Sequence, residues 1–199
     1  MRAIALALAA TLFSASALAA TVGQKAPDFT AVDSNGQSHK LSDFAGKTVV
    51  LEWTNHECPF VKKHYGAGNM QKQQAAAVAD GVVWLKINSG APGKQGHVDG
   101  AAANAVVARE GSKATAYLLD HSGEIGKAYA AKTTPHMYVI DGAGVLQYNG
   151  AIDSNPSADP ADIPGATQYV VQALAELKAG TPVSTPTSKP YGCSVKYGS

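Results

Sequence analysis

The chain is predicted to fold as an α/β sandwich, a mixed β-sheet flanked by helices on both sides. Three observations predict it. Strand-like and helical segments follow one another in the order β-α-β-α-β-α-β-β-α. The run Thr48 to Thr54 is nearly continuously apolar and rich in β-branched residues, the signature of a strand buried on both faces. No internal repeat or low-complexity block divides the sequence, and about 180 residues beyond the leader are enough for one core without disulfide staples.

The elements are read in chain order. Residues 1–19 have the form of a cleaved signal peptide: Arg2 as the basic start, Ala3 to Leu12 as the apolar run, and Ala17-Leu18-Ala19 as a small-x-small cleavage site. The apolar run is too short for a membrane span, and no cysteine follows the cleavage site to carry a lipid anchor. A periplasmic or secreted protein is therefore expected, with one domain over 20–180 and a C-terminal tail over 181–199. Without Arg2, fifteen basic residues balance fifteen acidic ones. That balance argues against nucleic acid or an anionic membrane as a partner held by bulk charge.

The entry to the domain includes a hairpin expected around Asn35-Gly36. After the first core strand, Pro59 to Ala79 reads as a helix that Gly66 and Gly68 kink or split. Val82 to Asn88 is the next strand, and His97 to Glu110 an alanine-rich helix ended by Gly111. Ala116 to Leu119 is a short strand and Gly123 to Ala130 a short helix. Met137 to Asp141 and Val145 to Asn149 alternate around Gly142-Ala143-Gly144 as an antiparallel hairpin. Asp153 to Asp162 reads as a solvated loop, and Ile163 to Lys178 as the last helix. Three prolines between Thr181 and Pro190 keep the tail out of helix and interior strand, so it is expected to lie extended over the surface and present Cys193.

Cys58 is the leading chemical candidate. An apolar strand delivers it to a break, Pro59 opens a helix after it, and a thiol at a helix N-terminus is drawn toward the thiolate by unpaired N–H groups and the dipole. The place of a second Cys-x-x-Cys cysteine is filled by Val61, so the thiol has no local partner. Cys193 is the only other cysteine. It can be a resolving thiol for Cys58, one end of a permanent bridge, or a tail thiol docked elsewhere.

These features resemble the thioredoxin fold, and within it the redoxin or peroxiredoxin-like (AhpC/TSA-type) family in its periplasmic branch with a single cysteine in the motif. The resemblance rests on the opening Gly23-Gln24-Lys25-Ala26-Pro27-Asp28-Phe29 and Leu41-Ser42-Asp43-Phe44-Ala45-Gly46-Lys47, on Cys58-Pro59-Phe60-Val61, on Thr134-Pro135, and on the ending Lys189-Pro190-Tyr191-Gly192-Cys193. It implies that Pro135 is a cis-proline facing Cys58, and that Thr134 offers its backbone to a bound peptide or mixed-disulfide partner. It also implies thiol-dependent oxidoreductase chemistry on thiols, disulfides or peroxides, served by an external thiol reductant. The peroxidatic pattern Pro-x-x-x-Thr-x-x-Cys is departed from at Leu51 and Asn55, and the one arginine beyond the leader, Arg109, falls at a helix end.

Two alternatives belong to other classes. His56, Cys58 and His136, with His64 near the same helix start, offer thiolate and imidazole donors for copper or zinc, as in a metallochaperone. A non-catalytic binding module that kept the fold is the other. No dinucleotide or haem-attachment motif occurs, so no cofactor is expected.

Overall fold

The structure, a computed structural model, describes residues 19–198. Apart from Ala19, the leader expected over 1–19 lies outside the described residues. Strands β1 (Thr30–Asp33) and β2 (Ser38–Lys40) form the entry hairpin, turned through Asn35-Gly36 with the Asp33 carboxylate accepting from the Asn35 and Gln37 amides. The core then runs β3 (Val49–Trp53), α1 (Pro59–Gly66), α2 (Asn69–Ala79), β4 (Val83–Asn88), α3 (Gly100–Glu110), β5 (Ala116–Leu119) and α4 (Glu124–Ala128). It closes with β6 (Thr133–Thr134), β7 (His136–Ile140), β8 (Leu146–Gly150), α5 (Tyr169–Lys178) and, in the tail, β9 (Cys193–Ser194). Seven strands make one mixed sheet in the order β2-β1-β5-β4-β3-β7-β8, and β6 pairs with β9 apart from it. Both β3–β4 and β4–β5 are parallel, while β3–β7 and β7–β8 are antiparallel.

Both faces of the sheet are covered, as the apolar strands require. Leu51, Trp53, Leu85, Ile87, Leu118 and Tyr138 face α4 and the N-terminal segment. Val50, Trp84, Met137 and Val139 face α1, α2 and α5. This second face also carries two charges the apolar reading of the strands passed over. Glu52 of β3 and Lys86 of β4 sit opposite each other in register, and both are fully buried. Tyr65 Oη, Gln74 Nε2 and Trp84 Nε1 donate to the Glu52 carboxyl at 2.8, 3.0 and 2.8 Å. Lys86 Nζ donates to Glu110 at 2.7 Å and lies 4.2 Å from the centroid of the Tyr65 ring. One polar knot thus ties α1, α2 and α3 to the centre of the sheet. Burial raises the Glu52 carboxyl above its ordinary value, although Lys86 and the hydrogen bonds oppose the rise.

The long helix splits as its glycines suggest, and two expected boundaries move for local reasons. The long helix divides at Gly68, whose φ of 71° begins α2 from the left-handed region. Helix α3 starts at Gly100 because Asp99 caps it, accepting from Ala102 N at 2.8 Å. Helix α5 starts at Tyr169, six residues later than the periodicity suggests. Ile163 N already closes a 3-10 turn on Pro160 O at 3.2 Å, and Pro164-Gly165 cannot propagate a helix from there.

The tail is a docked strap. Asn149 N donates to Pro186 O at 3.1 Å and Ser188 N to Asn149 O at 3.2 Å, so the chain first runs along the open edge of β8. It then crosses to β6 and ends with Tyr197 Oη donating to Ala131 O at 2.8 Å.

Candidate active site

Cys58 closes a turn on Asn55, its amide donating to Asn55 O at 3.0 Å, while Asn55 Oδ1 accepts from Glu57 N at 2.9 Å. Its extended backbone (φ −69°, ψ 126°) suits a residue before proline, and it stands as the N-cap of α1 with Pro59 at the first helical position. The side chain is completely buried. As a thiol it donates to Thr134 O at 3.1 Å, and Cys193 N donates to its sulfur at 3.4 Å. The Val61 amide of the first turn points toward the sulfur without closing a formal capping bond.

Thr134–Pro135 is a cis peptide, and β6 carries Thr134 directly opposite Cys193 of β9. Val195 N donates to Lys132 O at 3.0 Å and Thr134 Oγ1 to Cys193 O at 3.4 Å, so main chain of the tail fills the edge beside Cys58. The resemblance implied an edge open to an outside peptide; here the protein's own tail occupies it. Gly192 makes this approach possible. Its φ is 132°, and a Cβ there would stand 2.1 Å from Thr134 O.

The two cysteines are not bridged, and the Cys193 amide on the Cys58 sulfur brings the two residues side by side. Burial pushes the Cys58 thiol up, but the Cys193 thiol, the Val61 and Cys193 amides and Thr134 more than reverse this, leaving it below its ordinary value. Cys193 moves the other way, pushed up to about 11 by burial and by the neighbouring Cys58 sulfur. Of the pair, Cys58 ionises first. The β6–β9 pairing seats Cys193 beside Cys58, with its amide on the Cys58 sulfur.

The histidines go elsewhere. His136 Nδ1 accepts from Lys132 N at 3.2 Å, with Tyr138 Oη, which donates to Tyr129 O, also 3.2 Å away, and Nε2 meets Asn149 Oδ1 at 2.8 Å; burial pushes the ring down to about 4. His56 opens with Glu57, Lys62 and Arg109 into a separate polar cleft. Neither Glu57 nor His56 is among the contacts of the Cys58 sulfur. His56, Cys58 and His136 are therefore not assembled, and among the described residues no three His, Cys, Asp or Glu side chains form a group that could hold a metal.

His64 belongs to a network the sequence did not suggest. Asp153, expected in a solvated loop, is 1 % exposed and faces Lys63 Nζ at 3.7 Å and His64 Nε2 at 3.8 Å. Tyr191 of the tail donates its hydroxyl to Asp153 Oδ1 and meets His64 Nε2 at 3.2 Å. The Tyr191 ring packs edge-on against Phe60, two residues beyond Cys58, with centroids 5.7 Å apart. The available signal was position: Tyr191 lies two residues before Cys193 in the ending quoted for the family.

This arrangement, with a mixed sheet, a cysteine at the start of the first core helix and a cis-proline opposite it, is that of the thioredoxin-like class. Residues 22–149 match the AhpC/TSA family, and the chain belongs to that family. Among solved structures it is similar to an uncharacterized conserved protein from Geobacillus kaustophilus, with 27% identity, TM-score 0.78, and 89% of this chain and 93% of that chain covered. A hypothetical protein from Sinorhizobium meliloti 1021 aligns at 24% identity and TM-score 0.75 over 92% of this chain and 97% of that one. The fold is also shared with a secreted Mycobacterium tuberculosis disulfide oxidoreductase homologous to E. coli DsbE, at 22% identity and TM-score 0.51 over 69% of this chain and 92% of that one. No match is found among curated protein sequences. Among the described residues no helix is long and apolar enough to cross a membrane.

Proposed function

We propose that the protein is a thiol–disulfide oxidoreductase of the periplasmic or secreted space whose redox pair is Cys58 and Cys193. The observation that carries this reading is the seating of Cys193, with its amide 3.4 Å from the Cys58 sulfur and its thiol beside it, while the two thiols are shifted in opposite directions. The Cys58 thiolate attacks one sulfur of a substrate disulfide, forming a mixed disulfide and releasing the other sulfur as a thiolate that takes up a proton. Cys193 then loses its proton and attacks the Cys58 sulfur, which releases the second substrate thiol and leaves a Cys58–Cys193 disulfide. The order is built in. Part of what holds Cys193 up is the neighbouring Cys58 sulfur, and that contribution goes once Cys58 is bonded to substrate. An external dithiol reverses the sequence and restores both thiols.

Disulfides fit this site better than peroxides. Asn55, at the motif position of the peroxidatic threonine, spends its side-chain oxygen on the Glu57 amide. Arg109, the one arginine among the described residues, lies in the His56 cleft rather than among the contacts of the Cys58 sulfur. The test is Cys193→Ser incubated with a disulfide-bearing peptide. A stable mixed disulfide on Cys58 is expected, whereas the wild-type protein passes through it to the internal bridge. A variant that accumulates no adduct, or accumulates sulfenic acid with peroxide but nothing with disulfides, overturns this choice of substrate.

A further inference from the structure

We propose that Tyr191 is a positioning residue of this redox pair, a latch that holds Cys193 on Cys58 and keeps Cys58 closed until the strap lifts; the inference rests on the Cys58–Cys193 reading. The complete burial of Cys58 is partly the work of the tail, since Tyr191 and Cys193 pack against the same apolar cluster. Between its contacts with β8 at Ser188 and with Lys132 at Val195, the strap is held by main-chain contacts at Cys193 and by the half-buried side chain of Tyr191, which hydrogen-bonds to Asp153 and His64.

The hydrogen bonds of that side chain run in one direction. Asn69 Nδ2 donates to His64 Nδ1 at 2.9 Å and also to Gln168 Oε1 at 3.1 Å, which uses both amide hydrogens. Neutral His64 therefore carries its proton on Nε2 and donates it to the Tyr191 oxygen, 3.2 Å away, and Tyr191 passes its own hydrogen to Asp153. Burial keeps His64 in that neutral form, pushing it down to about 4 against the pull of Asp153. Asp153 Oδ2 has no hydrogen-bond partner among the described residues and faces Lys63 and His64. Without the hydroxyl, Oδ1 keeps only the Asn155 amide, 3.1 Å away, and the buried His64 Nε2–H loses its acceptor, so opening the strap and keeping it closed become closer in free energy.

The latch joins three pieces: α1, which carries Cys58 at its start; the loop of Asp153; and the tail two residues from Cys193. A residue so placed sets how often Cys58 is uncovered, and hence how readily an outside disulfide replaces the strap at the Thr133–Thr134 edge.

The experiment compares wild type, Tyr191→Phe and Tyr129→Phe, all reduced and full length. A bulky maleimide is added, and labelling at Cys58 and Cys193 is followed separately by peptide mass mapping. Tyr129→Phe removes another buried tyrosine hydroxyl, which donates to Pro27 O at 2.7 Å on the opposite face. It controls for general loosening of the fold. In Tyr191→Phe the ring still packs on Phe60, and Cys58 should be labelled about ten- to a hundredfold faster, the equivalent of one hydrogen bond to a charged or buried partner. Tyr129→Phe should label Cys58 at the wild-type rate. Equal rates in wild type and Tyr191→Phe, or equal acceleration in both variants, would overturn the latch. Titration of the same proteins with reduced and oxidised glutathione separates the two ideas. Failure to form a Cys58–Cys193 bridge at any ratio removes the redox reading, whatever the labelling rates are.

Discussion

Acidification should destabilise this fold through two buried imidazoles, and the size of the effect follows from their surroundings. His64 and His136 are each pushed by burial from the ordinary 6.5 down to about 4, against Asp153 in one case and Asn149 in the other. The unfolded chain therefore takes up more protons than the folded one between these values. Stability is fully present above pH 6.5 and drains away as pH falls toward 4. At pH 5 each histidine accounts for about 2 kcal/mol of lost stability relative to pH 7, about 4 kcal/mol for the pair as an upper figure. Glu52 works the other way, because its raised folded value means that protonation relieves a burial cost as pH falls. Comparing wild type with His64→Gln cancels that term, since Glu52 is common to both. Urea unfolding of the reduced proteins at pH 7 and pH 5, followed by circular dichroism, should show His64→Gln losing about 2 kcal/mol less than wild type over this interval. Identical losses would show that His64 is not held neutral in the folded protein, and the hydrogen-bond direction assigned to the latch would fall with it.

Two further outcomes are expected. Lys86→Met should lower stability by about 3–5 kcal/mol, since it leaves the Glu52 and Glu110 carboxyls without their buried cation, and adding Glu52→Gln should recover part of the loss; a urea midpoint unchanged from wild type would show that the knot contributes nothing. Cys193→Ala should raise the pKa of Cys58 by removing the thiol that donates to it, read from the pH dependence of iodoacetamide alkylation, and an unshifted profile would mean that the first-turn amide and Thr134 govern the sulfur alone.

What could be read from the sequence was local. The strands announced themselves by unbroken apolar runs, Cys58 by its place between a strand and Pro59, and the hairpin by Asn35-Gly36. Helix boundaries shifted only where a neighbour supplied a competing bond, as Asp99 does for α3 and Pro160 for the segment before α5. What could not be read depends on pairings across long stretches of chain. Glu52 and Lys86 look like lapses in two apolar strands until the register sets them side by side. Asp153 looks solvated until Tyr191 and Lys63 close over it. Cys193 was one open option among three because nothing in a proline-rich tail says where it docks; its seat is set by β6–β9 pairing and by the room Gly192 leaves against Thr134.

Cys58 and Cys193 are proposed to exchange electrons as a pair. Its most direct measurement is the intact mass of the thiol-blocked protein across a glutathione redox series, with peptide mapping of each state. One reversible transition is expected, in which two hydrogens are lost, no blocking group is taken up, and Cys58 and Cys193 appear in a single bridged peptide. A protein that keeps both thiols free throughout the series, or ends with glutathione on Cys58 and an untouched Cys193, would contradict it.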